Sequence, residues 1–137
     1  MNRFNSGPLY YNYAVIAVII DIVITGVLGV IFGIALAASG GLSLVEQPTI
    51  PLEMELLFVM LGSTGTFLAT FWLLKKVPDN RFHNVSLFVL LSILISLPIL
   101  VIAPDWWNSS DNLGINVLGT IVWLIIPYAT WGIVGKK

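Results

Sequence analysis

Residues 13–38 read YAVIAVIIDIVITGVLGVIFGIALAA, a run with one charged residue, Asp21, and no proline. A helix rises about 1.5 Å per residue, so crossing about 30 Å of hydrocarbon takes about 20 apolar residues. The run is long enough to cross with a tilt. It also exceeds the apolar core of a secretory signal, which spans about 7–15 residues. A retained helix is therefore expected, although Ala35-Leu36-Ala37 has the small residues of a cleavage site.

Three further runs have the same character, at about 54–74, 85–103 and 113–134. Between the runs stand turn formers: Ser39-Gly40-Gly41, Pro48 to Pro51, Pro78-Asp79-Asn80, and the stretch 104–112. Strands of a membrane barrel would alternate in polarity over about ten residues, whereas these runs are apolar on every face. The fold expected is all-α, an integral membrane bundle of four transmembrane helices forming one domain over 1–137.

Composition agrees. The 137 residues are 58% hydrophobic and 9% charged, against about 25% charged in soluble domains. Too few charges remain to cover a water-facing surface, and nucleic-acid binding lacks its basic face. There is no cysteine, which removes disulfides, thiol chemistry and Cys-bound metals.

Charge sidedness sets the expected orientation. With four spans, both termini and the middle connection share one side. That side holds every basic residue: Arg3, Lys75, Lys76, Arg81, Lys136 and Lys137. The other holds Glu46, Glu53, Glu55, Asp105 and Asp111 and no base. The positive-inside rule then places both termini in the cytoplasm, in a multi-pass protein of a bacterial inner or plasma membrane. Tyr10, Tyr11, Tyr13 and Trp131 on one side, and Trp106-Trp107 on the other, fall where aromatic belts are expected.

Asp21 is the one charged residue of the first span. Counted from Tyr13 it lies about 12 Å deep. A carboxylate there costs roughly 2.5–3.5 kcal/mol, so it is expected to carry a proton or to accept hydrogen bonds from hydroxyls. Asp21, Thr25, Gly29, Gly33 and Ala37 recur every fourth residue. Small residues at that spacing allow close helix approach, so the stripe is expected to meet another helix. Gly62, Thr66 and Thr70 form a matching stripe in the second span. Thr66, Ser92 and Tyr128 are expected to join Asp21 and Thr25 in a polar layer. Pro127 removes the helical donor to the Trp123 carbonyl in the same region. The plainer reading of these groups is hydrogen bonding that holds the bundle together.

Other polar residues have local explanations. Glu53 and Glu55 open a helix, where acids suit its dipole. A sequon at Asn108-Ser109-Ser110 faces outward, and Asn84-Val85-Ser86 faces the cytoplasm. His83, the single histidine, sits in the basic connection and cannot by itself make a zinc or bis-His haem site. No catalytic residues, metal ligands or cofactor are expected, since no GxSxG, HExxH, Walker or GxGxxG pattern is present. The functional expectation is a non-enzymatic subunit or modulator of a membrane assembly. It would contact lipid and either another membrane protein or further copies of itself through small-residue faces. The alternative is a homo-oligomeric channel or small transporter with Asp21 as an intramembrane proton or cation site.

Overall fold

The computed structural model describes residues 7–40, 51–102 and 113–135. Arg3, Glu46, Asp105, the Trp106-Trp107 pair, the Asn108–Ser110 sequon, Asp111, Lys136 and Lys137 lie outside them. Four helices form: α1 (Tyr11–Ala38), α2 (Leu52–Lys76), α3 (Arg81–Ile102) and α4 (Leu113–Val134). All four are long and apolar enough to cross a membrane.

The helix ends follow local chemistry more closely than hydropathy. α2 starts after Pro51 with Glu53 and Glu55 in its first turn and Lys75 and Lys76 in its last, the arrangement its dipole favours. α3 starts at Arg81, four residues before the apolar run, so the connection shrinks to 77–80 and His83 belongs to the helix. Asn80, with φ of 47°, turns the chain, and its carbonyl accepts the Asn84 N–H to open α3. Asparagine tolerates this left-handed geometry better than other non-glycine residues. Pro98 and Pro127 lie within α3 and α4 without ending them.

α1 packs against α2 and α3, and α4 packs against the same two helices. The middle pair is thus flanked on both sides. The core clusters toward the end that carries the 77–80 connection, here the basic end. Ala17 and Val18 of α1, Ala69 and Leu73 of α2, Val77, and Phe88 and Val89 of α3 form it, with Leu124 and Tyr128 of α4 packed alongside. Alanines at 17 and 69, both fully buried, let α1 and α2 approach closely around the larger Leu73 and Phe88. Aromatic pairs ring this end: Tyr13 with Trp72, and Phe82 with Tyr128 and Trp131.

The opposite, acidic end is looser. Beyond Asp21, α1 buries no side chain, and Val27, Val30, Ile31 and Ile34 are all more than half exposed. Phe32 against Phe58 is the ring contact there between α1 and α2.

Candidate functional site

Asp21 lies one helical turn beyond Ala17 on the same face of α1, so its side chain enters the bundle just above the apolar core. It is 9% exposed. Thr66 Oγ1 of α2 stands 3.2 Å from each carboxylate oxygen, and Thr25 Oγ1 stands 3.3 Å from Oδ1. Thr66 Oγ1 is also 3.3 Å from the Gly62 carbonyl oxygen, so its single proton has three acceptors within reach. Thr70, another turn along α2, donates to the Thr66 carbonyl and stays out of the cluster.

Gly65 makes the approach possible. A Cβ on it would collide with Thr25 Oγ1 and fall 2.9 Å from Asp21 Oδ1. No side chain fits between the α2 backbone and the acid. The stretch Ser63-Thr64-Gly65-Thr66 is small on every face, so periodicity could not choose the contact residue. The stripe read from sequence pointed to Gly62, which has open space where its Cβ would be.

The structure brings Asp21, Thr25 and Thr66 together. Tyr128 is elsewhere: it lies six residues from Val134, about 9 Å along α4, and its hydroxyl donates to Ser86 Oγ at 3.4 Å. Asp21 and Thr66 each lie ten residues from the basic ends of their helices, about 15 Å in. Tyr128 is more than a turn too shallow to join them. Ser92 has the right depth, about 16 Å from Arg81, and lies one turn beyond Phe88 on the buried face of α3. It is 6% exposed, and its Oγ has no hydrogen-bond partner. Gly29 and Gly33 have nothing within 4 Å of a Cβ position, and Ala37 is exposed. Among the described residues, no helix packs closely on that part of the stripe.

A second polar cluster, at the basic end, was not foreseen. Asn84 is fully buried. Its Oδ1 accepts the Tyr10 N–H at 2.7 Å, and its Nδ2 donates to the carbonyls of Asn80 at 3.0 Å and Pro8 at 3.4 Å. Asn80 Nδ2 donates to the Gly7 carbonyl, and Asn80 Oδ1 pairs with His83 Nδ1. Gly7 packs so closely on Asp79 that a Cβ would sit 2.9 Å from its carboxyl carbon. Residues 7–10 are thereby clasped to the turn between α2 and α3. Burial, then a hydrogen bond to Asp79 and the charge of that carboxylate, push the Tyr10 phenol above its ordinary value. Asn84 had drawn notice only as part of a sequon. With its amide bonded on both sides, it is closed to glycosylation in the folded chain. Its partners lie more than seventy positions away, so no local pattern signals the clasp.

Among the described residues, no group of His, Cys, Asp and Glu could hold a metal ion by itself. Compared with known proteins, the chain matches no family model, no curated protein and no solved structure. Function has to be argued from these two clusters and from the faces left uncovered.

Proposed function

We propose that this chain is a non-enzymatic integral membrane protein that acts as a subunit or modulator of a membrane assembly, with both termini cytoplasmic. The observation that carries the reading is the uncovered half of α1. From Ile22 to Ala38 no residue is fully buried in the protomer, and the helix presents Gly29, Gly33 and Ala37 at four-residue spacing. In lipid, helices associate by close packing and not by escape from water, and small residues are what such packing uses. The occupant is another membrane protein or a second copy of the chain. Native mass spectrometry after gentle extraction tests this: the wild type should run as a defined complex, and Gly29→Leu or Gly33→Leu should reduce it to protomers. Unchanged complexes in both variants would remove the proposal. The orientation is checked by labelling single cysteines placed near Lys76 and Glu53, which should react from opposite sides of sealed vesicles.

A second reading is a homo-oligomeric channel or small transporter. The buried Asp21 favours it, since an acid at this depth is costly unless something uses it. Four helices leave little room for a pathway, so the conduit would lie between protomers. Under this reading Asp21→Asn abolishes ion flux in liposomes while leaving the fold intact.

A further inference from the structure

We propose that the Asp21 cluster binds one monovalent metal cation of the sodium class, held among α1, α2 and α3 near mid-depth of the bundle. This supplies an ion for the transport reading, but binding is measured without flux and does not require it.

Charge comes first. In its ionised form Asp21 brings one negative charge into the bundle, and residues 11–74 and 82–134 contain no Lys or Arg. Compensating that form calls for a single positive charge from outside the chain. A divalent ion is a poor match, because calcium takes about six to eight oxygens and usually several carboxylates.

Geometry comes second. Hydroxyls that donate to a carboxylate normally close to about 2.5–2.7 Å. Here Thr25 and Thr66 stand off at 3.2–3.3 Å, and the Gly62 carbonyl stands at 3.3 Å from Thr66. The two hydroxyls flank the carboxylate without closing on it, and the Gly62 carbonyl lies behind Thr66. A cation seated beside the carboxylate would gain carboxylate and hydroxyl oxygens as ligands, the hard donors that suit an alkali ion. Gly65 keeps side-chain carbon out of the space.

Ser92 is the independent sign of a ligand. Serines and threonines in these helices routinely bond the carbonyl one turn back, as Ser63, Thr70, Ser86, Ser96, Thr120 and Thr130 do. Ser92 does not. Its buried hydroxyl has no partner, at the depth of Asp21 and one turn beyond Phe88 on the buried face of α3. Native proteins rarely leave such a group unpaired, and an ion ligand accounts for it.

The test uses the full chain in detergent at fixed pH, with sodium chloride exchanged for choline chloride at constant ionic strength. Sodium is expected to raise the unfolding temperature saturably, and choline is not. Ser92→Ala should raise the half-saturating sodium concentration about ten-fold or more, and Asp21→Asn should abolish the sodium effect. Ser92 makes no side-chain bond in the protein, so its alanine variant keeps the test decisive if Asp21→Asn fails to fold. Equal unfolding temperatures in the two salts would overturn the proposal, as would a sodium effect that both variants retain. An infrared band of protonated carboxyl that persists in saturating sodium and disappears in Asp21→Asn would also overturn it, by showing that a proton neutralises the acid.

Discussion

The two ends of this bundle are built on different principles. At the basic end, four helices and a returning N-terminal segment bury Leu73, Val77, Phe88 and Asn84, and side-chain amides lock the turn. At the acidic end α1 has no fully buried residue beyond Asp21, only half-buried ones such as Phe32, and its glycines have open space where a side chain would be. A helix in lipid gains nothing by hiding apolar side chains, so exposure alone is no defect. What the contrast teaches is a division of labour: one end specifies the protomer, and the other is left for a neighbour. The polar cluster of Asp21, Thr25 and Thr66 sits at the boundary.

Substitutions can break that division. The largest effect is expected for Gly65→Leu, which drives a side chain into Thr25 and Asp21. It should part α1 from α2 and cost the protomer more than about 3 kcal/mol, the upper range for overpacking. Reversible unfolding in mixed micelles would measure the loss. A mild effect would mean that the two helices are not held where the acid is. Asn84→Leu comes next, at about 2–3 kcal/mol, because it strands the Tyr10 N–H and the Pro8 carbonyl. Protease cleavage within residues 7–10 should accelerate in that variant. Thr66→Val removes a single interhelical hydroxyl and is expected to cost about 0.6–1.7 kcal/mol. Gly29→Leu should leave protomer stability within about 0.5 kcal/mol while dissolving the assembly. A large loss of protomer stability there would erase the contrast between the ends.

The clasp also gives a pH signature. Because folding raises the Tyr10 phenol above its usual value of about 10, the folded state holds that proton more tightly than the unfolded one. The contribution is complete below about pH 10 and is lost as pH rises beyond it. Protection of the amides of residues 9–12, relative to base-catalysed exchange of the unfolded chain, should fall in that alkaline window, and Tyr10→Phe should remove the fall.

Much of the architecture was legible in sequence because span length and hydropathy are local properties. α4 starts and ends where the apolar run does, and Pro98 and Pro127 sit inside helices as membrane helices permit. α3 begins four residues earlier than its hydropathy, since Asn80 and Asn84 open it by hydrogen bonding. The pairing of Asp21 with Thr66 followed from depth counting on two antiparallel helices. Tyr128 falls outside the cluster because its hydroxyl, though next to the Pro127 break, lies more than a turn shallower than Asp21. Gly65 escaped because its neighbours are equally small, and Asn84 because its partners are remote in the chain.

The clasp has a consequence for how the molecule is made. Synthesis proceeds from the N-terminus, so α1 is made long before Asn84 exists to receive the Tyr10 N–H. Until α3 has begun to emerge, the segment ahead of α1 has nothing to close on, and the acid on α1 waits for Thr66. A chain interrupted before Asn84 would therefore carry an unlatched leading end and display its incompleteness to the cell's proteases. The clasp thus records that the chain has reached α3, before α4 is made.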